Sequence, residues 1–370
     1  MRVSALALPV LLFTVRLVAS PLFVATDLGT LGGSHIAAFG INQQGAAVGA
    51  ASLPSAADNA FVSAGGSMTG LIVNGATSSQ ANGINKTGAV AGTAFTSGGA
   101  QAGVWADGMF NNLGTLGGVN SYAMAINNSG SVAGSASLAS GEAHAYLYRS
   151  GLMNDLGTLG NTSWSSAYSI NDNNQVTGYS TTASGAFHAF RWDENTGMVD
   201  IGTLGGNSYG MGIGANGSVV GSSVGAGGFL RAFLWNGGAM QDLGTLGGSS
   251  SFAYGINSSG EIVGYSYIPG ADNPHAFLWT GGGLVDLNSL LVPNSGWELN
   301  AAYAINDNGQ IVGTGTYQGQ SRAFRLDPQG VSLGGIIDAT AVPEPGTFIM
   351  VWALAALIAV LRTRWFPRSD

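Results

Sequence analysis

Along the chain, apolar positions come in short runs rich in Val, Ile, Ala, Phe and Tyr, and Gly, Asn, Asp, Ser or Pro breaks them about every 8–12 residues. Runs of that length predict β-strands and leave no stretch for a long amphipathic helix through the middle of the chain. The clearest unit spans 242–279, DLGTLGGSSSFAYGINSSGEIVGYSYIPGADNPHAFLW. It predicts strands at 252–257, 261–265 and 276–279, with a fourth at 283–287 just beyond it.

This unit recurs. The isoleucine of an I-N-x-x-G turn falls at Ile41, Ile84, Ile126, Ile170, Ile213, Ile256 and Ile305, so copies lie 43, 42, 44, 43, 43 and 49 residues apart. A period of about 40–50 residues signals a propeller, solenoid or array. Between the first two strands of each copy the turn ends on Gly45, Gly88, Gly130, Asn174, Gly217, Gly260 or Gly309, residues that tolerate a left-handed backbone. Four residues on, every copy has glycine: Gly49, Gly92, Gly134, Gly178, Gly221, Gly264 and Gly313. Glycine inside a strand marks a bulge or a close backbone approach, and here it is expected to let neighbouring sheets pack together.

The phase of the ends separates a ring from an open stack. The stretch 23–29, FVATDLG, matches a fourth strand (compare 198–202, MVDIG), whereas the last copy stops after its third strand at 322–326, RAFRL. An N-terminal fourth strand beside a C-terminal first-to-third set completes one blade and removes an exposed edge. Seven copies also lie within the four to eight blades usual for propellers. The expected fold is therefore all-β: a seven-bladed propeller of four-stranded blades across 22–328, its N-terminal strand closing the last blade. The longer final spacing comes from 290–297, LLVPNSGW, an insertion expected to sit on a loop.

Each third strand carries a further motif: His-Ala-Phe at 275–277 and 188–190, His-Ala-Tyr at 144–146, Arg-Ala-Phe at 231–233 and 322–324, Asn-Ala-Phe at 59–61 and Gln-Ala-Gly at 101–103. In this the chain resembles the HAF-repeat family of extracellular bacterial proteins, over roughly 23–328. The resemblance implies an exported repeat protein and supplies no catalytic residues.

Composition narrows the partners. Charged residues make up 8%, the net charge is −8, and Lys86 is the only lysine; nucleic-acid binding, which needs clustered cations, is excluded as an expectation. With Cys 0, disulfides and thiol chemistry are excluded as well.

The two ends read as addresses. Arg2 before the apolar run 3–15 suggests an export signal over 1–20. After a linker at 329–341, the stretch 342–368 holds Pro343-Glu344-Pro345, an apolar run at 348–361 expected to be a short hydrophobic helix, and a basic end with Arg362 and Arg364. This order of parts resembles the PEP-CTERM sorting signal of Gram-negative bacteria, with Gly346-Thr347 where Ser-Thr is commoner. The resemblance implies an exosortase-type processing enzyme as partner and transient anchoring in the inner membrane through the helix. It also implies release to the cell surface or to exopolysaccharide.

Candidate chemistry is sparse. His144, His188 and His275 occupy equivalent positions on different copies, which argues against convergence on one metal ion and for strand-end hydrogen bonding. Asp27, Asp155, Asp200, Asp242 and Asp286 precede L-G, I-G or L-N turns, and Asp172 and Asp307 sit in I-N-D-N turns; all are expected to bond their own local backbone. Trp105, Trp192, Trp235 and Trp279 recur at the end of strand three and are expected to pack between blades. Trp164 and Trp297 break the repeat phase, which makes them candidates for stacking on a ligand from loops. The carboxylates outside the repeat phase (Asp58, Asp107, Glu142, Asp193, Glu194, Glu261, Asp272 and Glu298) are expected to be solvated.

Neither a catalytic set nor a cofactor site is read from these motifs. The sequence therefore points to a non-enzymatic, secreted or surface-bound propeller that binds or scaffolds exopolysaccharide or biofilm matrix. The alternative is a carbohydrate-active enzyme, a glycosidase or lyase, using the singleton carboxylates at the mouth of the ring.

Overall fold

A computed structural model describes residues 23–161, 163–271 and 273–329. These form seven four-stranded antiparallel sheets, one per repeat, arranged as the blades of a propeller. Blades one to six span 36–70, 76–112, 117–155, 165–200, 208–242 and 251–286. In the 242–286 unit every predicted strand boundary lies within one residue of the observed strands Ser251–Ile256, Ile262–Ser266, His275–Trp279 and Leu284–Asp286.

Blade seven is completed from both ends of the ring. Its first three strands are Trp297–Ile305, Ile311–Tyr317 and Gln320–Pro328, and its outer strand is Phe23–Asp27. The register pairs Val24 with Asp327 and Asp27 with Phe324. The Leu28 amide donates to the Ala323 carbonyl (3.0 Å) and Arg322 Nε lies 3.2 Å from Asp27 Oδ2, which latches the seam.

The Ala-Phe pair of strand three explains why the blades stack. Neighbouring residues of a strand face opposite sides, so a strand buried on both faces needs apolar residues at consecutive positions. Ala189 and Phe190, Ala232 and Phe233, and Ala276 and Phe277 are all fully buried. The recurrent tryptophans pack between blades as expected: Trp105 against Val48 and Ala60 of blade one, Trp192 against Ala133 and Leu147 of blade three.

Serines of the inner strands add a polar seal. Ser79, Ser121, Ser165, Ser208 and Ser251 each accept, through Oγ, the amide of the motif alanine in the preceding blade, at 2.8–3.0 Å. All five are buried, so these bonds replace water that the sheets exclude.

Two expectations about turns change. The hairpin-ending residues do have positive φ, from Asn174 at 58° to Gly88 at 86°. The asparagine before them does more than shape its own turn. Its Oδ1 accepts local amides, as Asn257 does from Ser259 and Glu261, while its Nδ2 donates to the next blade. Asn42 reaches the Asn85 carbonyl (3.1 Å), Asn85 reaches Asn127, Asn127 reaches Asn171, Asn171 reaches Gly214, Asn257 reaches Asn306, and Asn306 returns to Asn42 (2.9 Å). This girdle of buried side chains is interrupted once, at Gly214. Asp172 and Asp307, expected to bond locally, bridge blades instead: Asp172 accepts from the Asn128 amide and Asp307 from the Ser258 amide. Both aspartates stand one residue beyond the girdle asparagine of their own turn and reach the backbone of the neighbouring turn.

The strand-two glycines likewise act within their own blade and not between sheets. A Cβ on Gly49, Gly134, Gly178, Gly221 or Gly264 would overlap a carbonyl oxygen of the adjacent inner strand, for instance that of Phe252 against Gly264.

A 3-10 turn, Leu287–Leu290, leads from blade six into the insertion, and the Asn288 side chain ties it to Leu299. Trp297, expected in a loop, instead opens the inner strand of blade seven. It pairs with Tyr317 across the ladder and stacks on it (4.8 Å between centroids), a cross-strand aromatic contact that extends the strand.

The export signal, the sorting residues Pro343, Glu344, Pro345, Arg362 and Arg364, and the C-terminal hydrophobic helix lie outside the described residues. Among the described residues no helix is long and apolar enough to cross a membrane.

Candidate ligand channel

Every innermost strand carries a β-bulge at the same place. Register shifts fall at Ala38/Gly40, Ala81/Gly83, Ala123/Ala125, Ala167/Ser169, Gly210/Gly212, Ala253/Gly255 and Ala302/Ala304. A bulge sets two residues against one and re-aims a side chain. The strand-two glycine makes it possible: it stands opposite the residue before the bulge, where the displaced carbonyl needs the space of a Cβ.

The extra residue is always two before the turn isoleucine, and in all seven blades it lines the central cavity. In blade order from six these are Tyr254, Tyr303, Phe39, Asn82, Met124, Tyr168 and Met211. The cavity has a volume of about 480 Å³, and none of its lining residues carries a charge.

The aromatic members form an arc. Tyr254 and Tyr303 meet edge to face (5.3 Å, 77°), as do Tyr303 and Phe39 (5.4 Å, 61°). Beside Phe39, Gln80 donates to Asn82 Oδ1 (2.7 Å) and Asn82 donates to the Ala123 carbonyl (2.7 Å), which fixes both amides at the wall. Burial and the neighbouring Tyr179 hydroxyl push the Tyr168 phenol up to about 12; burial raises Tyr254 and Tyr303 as well. The channel phenols are thus neutral donors at physiological pH.

Toward the turn face, the seven turn isoleucines form a collar that lines both this cavity and a second, polar basin beyond it. Girdle asparagines wall that basin together with Asp172, Asp307 and Lys86. Toward the loop-rich face an aromatic track leads outward: Tyr254 to Tyr265 (5.8 Å) and Tyr265 to Tyr267 (6.2 Å), with Phe252 stacked on Tyr265 (4.7 Å). A second track joins Tyr168, Tyr179, Phe187 and Tyr209 on blades four and five.

On the loop-rich rim, Trp164 is 51% exposed just before the inner strand of blade four, while Trp297 is covered by Tyr317 on blade seven. The structure therefore does not bring the two together. His144, His188 and His275 stay on separate blades, where each Nδ1 pairs with the aspartate of its own fourth strand, Asp155, Asp200 and Asp286, at 2.7–2.9 Å. Those aspartates also hold their turns, as Asp200 accepts the Gly202 amide, so the expected local role is observed with a partner added.

Among the described residues, none of the singleton carboxylates lines the channel cavity. Asp193 binds Arg191 and caps the Asn195–Thr196 turn, Glu194 pairs with Arg149 across blades, and Glu261 accepts from Asn257. The bulge ring itself was missed from sequence. Its signal is that the position two before the turn isoleucine is Tyr, Phe or Met in six copies and Asn in one, in strands otherwise rich in small residues.

No family model matches the sequence, and no curated protein matches it. Solved structures match the fold. The β-propeller domain of the Trilobed protease from Pyrococcus furiosus, described as having an open velcro topology, gives a TM-score of 0.56 at 8% identity, over 85% of this chain and 100% of that one. A puromycin-hydrolyzing peptidase of Mycobacterium tuberculosis gives 0.57 at 12% identity, over 84% of this chain and 54% of that one. TolB from Acinetobacter baumannii gives 0.48 at 13% identity, and the match spans 62% of that protein's length. At such identities the likeness establishes a β-propeller and nothing about activity.

Proposed function

We propose that this is an exported, non-enzymatic propeller that binds or scaffolds polysaccharide at the cell surface or in the surrounding matrix. Its C-terminal Pro343-Glu344-Pro345 signal would be processed by an exosortase-type enzyme. The observation that carries the reading is the aromatic track from the exposed rim residue Tyr267, through Tyr265 and Tyr254, to Tyr303 and Phe39. Phenol and indole faces stack on the C–H faces of sugars while their polar tips bond hydroxyls. An uncharged wall suits a neutral polymer. Asp193, Glu194 and Glu261 are committed to arginine and turn contacts, which favours binding over turnover at those carboxylates.

The test is capture of the full-length protein on immobilised neutral and anionic polysaccharides. The reading expects retention on at least one polymer, weakened several-fold by Trp164→Ala combined with Tyr267→Ala, and unchanged by alanine at Asp193, Glu194 and Glu261. Release of reducing ends that stops on those carboxylate substitutions would replace this reading with an enzymatic one.

A further inference from the structure

The repeat is strict where it builds the ring and irregular where it faces the channel. The turn isoleucine and the strand-two glycine are identical in all seven copies, whereas the bulged residue two positions before the isoleucine is Tyr, Phe, Met or Asn. A purely structural channel would repeat one residue there, as the collar does. We infer that the channel is a binding site of its own for a single neutral sugar unit, entered from the loop-rich face and stopped by the isoleucine collar.

The chemistry of the wall selects that ligand. Tyr254, Tyr303 and Phe39 offer a curved aromatic surface over three consecutive blades, suited to the apolar face of a pyranose. Hydroxyl partners stand around the remaining wall, from the Tyr168 phenol and the Gln80 and Asn82 amides. Met124 and Met211 fill the intervals with adaptable apolar surface. The lack of any charge in the lining disfavours phosphorylated, carboxylated or cationic ligands, whose desolvation nothing there would repay. The volume, about 480 Å³, falls at the small-molecule end of ligand pockets.

The collar gives the site a direction. Inner strands run from the loop-rich face toward the turn face, so the bulge ring lies two residues above the isoleucines and the track of Tyr265 and Tyr267 stands on the entry side. If the chain binds a polysaccharide as proposed above, the channel holds the end of that polymer while the rim holds its length. That clause rests on the proposed function; the channel site does not.

The experiment is calorimetric titration of the full-length protein with glucose, galactose, mannose, cellobiose and maltose, for the parent and three variants. Tyr303→Ala removes the centre of the aromatic arc, Met211→Trp fills the channel from blade five while leaving the arc in place, and Trp164→Ala alters only the rim. The expected result is saturable binding of at least one of these sugars, weakened about tenfold or more by both channel variants and unaffected by Trp164→Ala. Because Met211→Trp leaves the aromatic arc and the wall amides in place, its effect, with an unchanged melting temperature, separates blocking from misfolding. Absence of saturable binding to every sugar at tens of millimolar overturns the inference, and so does binding that both channel variants leave intact. Polymer capture without small-sugar binding sinks the channel site and leaves the proposed function standing. Small-sugar binding that Met211→Trp abolishes, without polymer capture, does the reverse.

Discussion

A single methyl group decides the shape of each blade. At Gly264 a Cβ would overlap the Phe252 carbonyl that the bulge pushes inward, so Gly264→Ala is expected to cost about 1–3 kcal/mol through overpacking. Gly260, four residues earlier, has φ +80° and open space around it; Gly260→Ala costs about 1–2 kcal/mol for a different reason, the left-handed backbone. Urea denaturation of both variants checks the pair. In sequence these glycines look alike. Recurrence shows that each position excludes a side chain, but whether φ or space excludes it depends on a partner strand the sequence does not display. Blade two offers a similar lesson: Gly103 replaces the buried phenylalanine of the motif, and the Phe110 ring from strand four occupies the vacated volume against Trp105. The asparagine girdle gives the next residue-scale prediction. Asn257→Ala removes a buried inter-blade bond and its turn cap and should lower stability by about 1–3 kcal/mol. Gly214→Asn, which supplies the missing member toward Asn257, should raise it by about 1 kcal/mol. A melting-temperature shift of opposite sign in the two variants checks the assignment.

At the scale of the element, strand identity and order were legible because the middle strands of every blade are buried on both faces. That forces apolar pairs such as Ala276-Phe277 into register with turn residues at fixed spacing. The closing strand was legible for the same reason, since 23–29 repeats the pattern of a fourth strand. What sequence did not reveal was contact between elements: the serine seals, the girdle, and the extension of Trp297–Ile305 by a Trp297–Tyr317 stack, all of which depend on residues paired across ladders or blades. Closure carries its own prediction. Deleting Phe23–Asp27 leaves the edge of Gln320–Pro328 with no partner strand, and an unprotected edge recruits another chain. Concentration-dependent oligomers in sedimentation velocity are expected from the truncated form, and a monomer from the parent under the same conditions.

For the whole molecule, the channel is where sevenfold repetition becomes asymmetric, and this is why the candidate site resisted a sequence reading. Tyr254, Tyr303 and Asn82 are about 40–50 residues apart or more, and only the bulge turns them toward one axis. The buried phenols also set an alkaline limit. Tyr168, Tyr254 and Tyr303 keep their protons in the folded ring above the value near 10 at which unfolded tyrosines ionise. The folded state then binds more protons than the unfolded one, so stability holds below pH about 10 and falls as pH rises toward 12. Melting temperatures at pH 8 to 11 should show that decline, less steep in Tyr168→Phe. All of this depends on one polypeptide closing its own ring around one axis. Because the chain has no cysteine, a single engineered pair reports on that closure without interference: Val24→Cys with Asp327→Cys places thiols on directly paired residues of blade seven. Oxidation of the monomer is predicted to give an intramolecular disulfide in nearly every molecule and to stabilise the fold by about 2–4 kcal/mol. Free thiols that persist, or cross-links that form only between chains, would contradict the closed ring.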